Sequence, residues 1–191
     1  MRIPKDTALL VIDMQKAIDE PRWGPRNNPD AERKIARLLA AWRAAAMPVI
    51  HIRHDPTDPQ SPYRPGQPGH DFKPEAMPLP GETVVAKQVN SAFIGTGLER
   101  RLNEAGRTTL VICGVLTHSS VEATVRHAGN LGFRVFVVAD ACWSVETRDL
   151  TGRVWAAAEV HVLSLTHMQG DYAQVTDART AAAAAERWLP G

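Results

Sequence analysis

The sequence predicts an α/β protein: a parallel sheet with helices on both faces. Three observations carry that expectation. Short apolar runs alternate with amphipathic helical stretches about six times along the 191 residues, the pattern of successive strand–helix–strand crossovers. The runs are continuously apolar rather than alternating, as strands covered on both faces require. The length suits a single domain, residues 1–191, and no internal repeat or interdomain linker divides it.

Ala8-Leu9-Leu10-Val11-Ile12 reads as the first buried strand, and it ends in Asp13. Asn28-Pro29 then offers a helix cap followed by a proline at the first helical position. Ile35, Leu38, Leu39 and Trp42 follow at helical spacing and form one apolar stripe. Pro48 to Ile52 is the next strand. Residues 54–81 hold eight prolines and three glycines with little periodicity. So long a connection inside one domain is expected to act as a lid or a wrapping segment, with Tyr63 and Phe72 as apolar anchors.

Thr83 to Ala86 is a short strand leading into Lys87. Thr96 and Glu99 match a capping box for a helix carrying Leu98 and Leu102. Thr108 to Cys113 is a strand, and Ser119 with Glu122 repeats the capping-box pattern for a helix that Gly132 terminates. Phe133 to Ala139, a helix near Ala156 to Met168, a strand around Tyr172 to Thr176 and an alanine-rich helix complete the chain.

Composition narrows the function. Lys plus Arg is 22 and Asp plus Glu is 21, a net charge of +1 with no basic stripe, so nucleic acid is not the expected partner. No apolar run is long enough to span a bilayer, and the first residues show no signal-peptide pattern. Cys113 and Cys142 make neither a disulfide scaffold nor a zinc site. The expectation is a cytoplasmic protein with reduced thiols and a small-molecule substrate.

In parallel sheets, ligands bind beyond the carboxyl ends of the strands. Asp13, Lys87 and the segment Gly114 to Ser120 each fall just past a strand. Asp13 and Lys87 carry opposite charges that one sheet edge would bring together, and a strand-to-helix turn at 114–120 offers free backbone N–H groups to an anion. Ser119 reads as a helix cap, with Ser120 projecting into the crevice. Trp23, Tyr63, Phe72, Phe93 and Trp143 fall on loops and could wall an apolar pocket. His51 and His54 lack a clear third ligand, so no metal and no cofactor is assigned.

Val11-Ile12-Asp13-Met14-Gln15, Lys87-Gln88-Val89-Asn90-Ser91-Ala92-Phe93 and Gly114-Val115-Leu116-Thr117 through Ser120-Val121-Glu122-Ala123-Thr124 resemble the isochorismatase-like cysteine hydrolases. Gly129-Asn130-Leu131-Gly132-Phe133 and Val138-Ala139-Asp140-Ala141 continue the match along nearly the whole chain. The resemblance implies a three-layer αβα fold with a six-stranded parallel sheet in the order 3-2-1-4-5-6, and a homo-oligomer. It also implies a cis peptide between Val115 and Leu116.

Carried over by position, Asp13 is the catalytic acid/base, Lys87 its charge partner, and residue 120 the nucleophile, with the N–H groups of Leu116 and Ser120 as the oxyanion hole. Gln15, Trp23, Phe93 and Tyr63 would contact the substrate. Ser120 stands where the family's hydrolases carry cysteine, read either as an engineered exchange or as a branch without the thiol. Three activities fit. The first is hydrolysis of a small amide, ureide or imide-type C–N bond. The second is vinyl-ether hydrolysis from Asp13 with no covalent step, as in the family's isochorismatases, which also lack the cysteine. The third is ligand binding without turnover.

Overall fold

Five consecutive apolar residues leave β1 (Ala8–Ile12) no face to turn to water. In the computed structural model, which describes residues 1–189, all five are buried at the centre of a six-stranded sheet. The other elements are α1 (Ala31–Ala44), β2 (Val49–His54), β3 (Thr83–Lys87), α2 (Leu98–Glu104), β4 (Thr109–Val115) and α3 (Glu122–Asn130). They continue with β5 (Arg134–Trp143), β6 (Thr147–Arg148), β7 (Val154–Trp155), α4 (Ala157–Met168), β8 (Gln174–Thr176) and α5 (Ala178–Glu186).

The sheet runs β3-β2-β1-β4-β5-β8, parallel throughout. This is the expected order with β8 as the sixth strand, because a two-stranded antiparallel hairpin, β6–β7, interrupts the count. Helices α1 and α5 pack together, as do α3 and α4, giving three layers. The buried stripe of α1 is Ile35, Leu38, Leu39 and Trp42, as its spacing predicts. In α5 the buried residues are all alanines, small enough for a close approach to α1, and Asp177 caps the helix by accepting the Thr180 N–H at 2.8 Å.

Three predicted caps are corrected. Asn28 does not cap α1, which starts after Asp30. It takes φ +47°, and its amide donates instead to the carbonyls of Ala139 and Cys142. Gly97, at φ +68°, rather than Thr96 directly precedes α2; the Thr96 hydroxyl donates to the Ala92 carbonyl and accepts the Leu98 N–H at 3.2 Å, in place of the reciprocal bond with Glu99 that a capping box requires. No side chain caps the turn before α3, and the Glu122 carboxylate is engaged by Ser164 and Arg126.

Strands β4 and β5 run past their predicted ends, and their register shifts between Ile112 and Gly114, after which Gly114 pairs with Cys142 and Val115 with Trp143. Gly114 sits at φ +119°, where a Cβ would lie 2.2 Å from the Ile12 carbonyl oxygen, so the central strands approach there as only glycine allows. The Val115–Leu116 peptide is cis. No helix among the described residues is long and apolar enough to cross a membrane.

Candidate active site

Three strand ends meet at one point. Asp13 follows β1 in the left-handed backbone region, at φ +51°, a conformation that aspartate tolerates better than most residues. Lys87 is the last residue of β3, and Ser120 lies on the turn between β4 and α3. The Lys87 ammonium donates to Asp13 Oδ2 at 2.7 Å and to Ser120 Oγ at 3.2 Å, across sequence separations of 74 and 33 residues. All three side chains are buried, Lys87 almost completely. Breaking such a desolvated pair from one side leaves a buried charge uncompensated, which ties the folding of β1 and β3 to the geometry of this site.

The second oxygen of Asp13, Oδ1, is buried and has no hydrogen-bond partner among the described residues. The segment Thr117–Val121 makes one wide helical turn in which the Val121 N–H reaches the Leu116 carbonyl five residues back, at 3.2 Å. Wide turns of this kind recur at functional sites. This one brings Leu116, Ser119 and Ser120 to the same cavity as Asp13.

That cavity, of about 150 Å³, is also walled by Ile18, Trp23, His54, Tyr63 and Asn90. Trp23 and Tyr63 stand edge to face with ring centres 6.2 Å apart, and Tyr63 meets the His54 ring in the same manner. Burial, followed by the charge of Lys87, lowers the pKa of His54 and keeps its ring neutral at physiological pH. Its Nδ1 lies 3.5 Å from Lys87 Nζ. Burial together with the negative field of Asp13, Asp19 and Glu20 raises the Tyr63 pKa well above its usual value, so the phenol keeps its proton.

Two expected substrate contacts lie off the wall of this cavity. The Gln15 side chain is fully buried and committed to backbone, accepting from the His54 N–H and donating to the carbonyls of His54 and His70, so it braces the start of the lid. Phe93 packs on His127 and Phe133, away from the cavity. Trp23 and Tyr63 do line the cavity. Phe72 and Trp143 lie elsewhere, one against His51 and the other under the Arg26 guanidinium.

His51 and His54 do not converge. Strand residues three apart project to opposite faces, and His51 Nε2 pairs with Glu82 at 2.8 Å. Neither cysteine lines the cavity. Burial pushes Cys113 well above its usual pKa and Cys142 up to about 12. His54 and Asn90 were not predicted as site residues. Both carry the signal that identified Asp13, a position at or just after the carboxyl end of a strand.

The proline-rich connection closes the cavity. Tyr63 and Ser61 line it, Phe72 bridges to Gln15, and the Lys73 N–H binds the Met14 carbonyl at 2.9 Å. Its anchor is ionic. The buried Lys73 ammonium pairs with Asp19 and with Glu32 at 2.9 Å, and Arg26 grips Glu32 through two bonds of 2.7 Å. Burial opposes ionisation of Glu32, but the hydrogen bonds from Arg26 and Lys73 outweigh it and hold its pKa at about 2.

A depressed carboxylate contributes stability that is complete above its unfolded pKa and is lost as pH falls through the folded value. The melting temperature is therefore expected to drop between pH values of about 4.5 and 2. Glu82, held near 2 in the same way, contributes over the same window. Glu32→Gln should flatten part of that drop in a calorimetric pH series. An unchanged acid limb would refute the anchoring role.

A profile of the Isochorismatase domain matches residues 7–180. The isochorismatase family protein YrdC of Bacillus subtilis (strain 168) is 38% identical over 168 residues, covering 88% of this chain and 90% of that protein. A streptothricin hydrolase of Streptomyces noursei is 39% identical over 70% of this chain and 48% of its own length. The ureidoacrylate amidohydrolase of Methylobacterium radiotolerans is 30% identical over 72% and 67%. Among solved structures, an isochorismatase family protein from Chromobacterium violaceum superposes with a TM-score of 0.96 at 54% identity, covering 98% of this chain and 97% of that one. The match along the domain and the superposition lead to one conclusion: the chain belongs to the isochorismatase family.

Proposed function

We propose that this chain hydrolyses a small amide, ureide or imide-type C–N bond, with Ser120 as nucleophile, Asp13 as acid/base and Lys87 as the cation that serves both. The observation that carries this reading is the double contact of Lys87 with Asp13 Oδ2 and Ser120 Oγ. Because Ser120 Oγ accepts from Lys87, its own proton is free to leave. The relatives named as a streptothricin hydrolase and a ureidoacrylate amidohydrolase favour hydrolytic chemistry.

In this reading Oγ adds to the carbonyl carbon while Asp13 takes the serine proton. The carbonyl oxygen gathers negative charge, and the N–H groups of Leu116 and Ser120 receive it, since donors fixed in a dry site stabilise developing charge without reorganising. As the C–N bond breaks, Asp13 returns the proton to the leaving nitrogen, as one acid/base residue can do in both directions. Water then adds to the acyl ester with Asp13 as base, and the ester C–O bond breaks as the proton passes back to Ser120. The sum is one water added across the C–N bond.

The hydroxyl at position 120 also favours a second reading, in which Asp13 protonates an enol ether and no covalent intermediate forms. Intact-mass analysis during turnover of small amides, paired with ammonia release, separates the two. The first reading expects ammonia release and an acyl mass on Ser120, both lost in Ser120→Ala. Enol-ether hydrolysis that survives Ser120→Ala, with no ammonia from any amide, would replace it. Ligand binding with no turnover of either kind would overturn both readings.

A further inference from the structure

The cavity beside Asp13 has a composition that bears on the charge of its ligand. No arginine or lysine lines it. The one cation among the described residues in contact with the reacting groups, Lys87, is already paired with Asp13 at 2.7 Å, so the two cancel. Two of its titratable walls are uncharged, since the His54 ring is neutral and the Tyr63 phenol keeps its proton. A carboxylate brought into this space would lose its hydration and find no free counter-ion, which is strongly unfavourable. The Asp13 carboxylate lines the cavity and keeps one oxygen, Oδ1, buried and without a partner among the described residues, so a hydrogen-bond donor that reaches it gains an acceptor no protein group uses. The volume of about 150 Å³ is on the scale of a cavity that holds one benzene ring, and Trp23 and Tyr63 supply aromatic edges around it.

We infer that the cavity selects uncharged carboxamides or ureides that carry an N–H and are about one six-membered ring in size, and that it rejects compounds bearing a carboxylate. The selection deepens the C–N hydrolase reading and rests on it for the word substrate. The charge preference itself belongs to the cavity and can be measured without turnover. It also disfavours the enol-ether alternative, whose isochorismate-type substrate carries two carboxylates and exceeds one ring.

Benzamide and benzoate are matched in shape and differ in charge at neutral pH, which makes them the probes. Ser120→Ala removes turnover, so ligand-observed NMR can give both dissociation constants. Benzamide is expected to bind at least about tenfold more tightly. Benzoate binding as tightly as benzamide, or no binding of either at millimolar concentration, would overturn the inference. A cation placed on the lid by Ser61→Arg, in the same background, should shift the ratio toward benzoate by about fivefold or more. No shift in a folded variant would count against it.

Turnover by the native chain distinguishes this failure from failure of the hydrolase reading. Comparable kcat/KM on N-carbamoylglycine and on its neutral amide would sink the charge selection and leave C–N hydrolysis intact. Tenfold discrimination in binding with no ammonia from any amide would sink the hydrolase reading and leave the selection standing.

Discussion

Ser120→Cys is expected to raise kcat/KM on a small amide by about a hundredfold or more. Cysteine is a few per cent thiolate at neutral pH even when unperturbed and is intrinsically a strong nucleophile, whereas a serine hydroxyl depends wholly on its base. In the proposed mechanism that base is a carboxylate, Asp13, which Lys87 already engages through one oxygen. A thiol at the same place would meet the Lys87 ammonium, which contacts Oγ at 3.2 Å. A neighbouring cation lowers a thiol pKa and raises the thiolate fraction. Asp13→Asn should then remove about 10²–10⁴ in rate on either background, because asparagine cannot accept the nucleophile's proton. Rates on one substrate, compared as kcat/KM, report the change in transition-state stabilisation. A folded Ser120→Cys protein that binds the amide and shows no gain would remove the covalent mechanism. A severe Asp13→Asn loss combined with an indifferent residue 120 is the signature of enol-ether protonation.

The core of this site was legible in the chain because a parallel sheet converts sequence position into spatial position. Residues at the carboxyl ends of β1 and β3, and on the turn after β4, must meet at one edge, and Asp13, Lys87 and Ser120 do. What position along a strand does not reveal is where a long side chain spends its polar atoms. Gln15 follows Asp13 by two residues, yet its amide closes on the backbone of His54 and His70. Phe93 lies near Lys87 in sequence, but its ring finds an aromatic partner in Phe133. His54 carries the right positional signal, but with no third metal ligand beside it and His51 the sequence assigns it no role, because sequence spacing does not show that His54 faces this cavity while His51 turns to Glu82.

The missed caps have a related cause. A Ser or Thr followed three residues later by Glu promises a reciprocal pair only if the chain enters an ordinary helix. At residues 117–121 it makes a wide turn instead, and Glu122 turns to Ser164 and Arg126. The β6–β7 hairpin has two residues per strand, too few for any alternation to show. By contrast, the prolines of the lid announced a long ordered excursion. Their distribution did not reveal the ionic anchor, which joins Lys73 to Asp19 and Glu32 from far along the chain.

Gly114→Ala is expected to be the most damaging single methyl added to the sheet. The added Cβ would stand 2.2 Å from the Ile12 carbonyl oxygen, 2.6 Å from its nitrogen and 2.9 Å from its carbonyl carbon, all backbone atoms of the central strand. None can yield without prising β1 from β4, where Ile12 and Gly114 are direct partners. The backbone at φ +119° is also one that an L side chain rarely adopts. Single substitutions usually cost about 0.5–3 kcal/mol and domains have about 5–15 kcal/mol in total, so a loss beyond about 4 kcal/mol is expected here. Gly132→Ala provides the comparison. It shares a positive φ, +87°, but a Cβ there meets nothing within 4 Å, so only the backbone term of about 1–2 kcal/mol should appear. Denaturant midpoints of the two variants, measured with unchanged m-values, separate steric collision from backbone preference. Equal losses would mean that β1 and β4 can part at no cost. Because Asp13 directly follows Ile12 and Leu116 lies two residues beyond Gly114, any Gly114→Ala protein that does fold should also lose the Lys87–Asp13–Ser120 geometry, and with it hydrolysis.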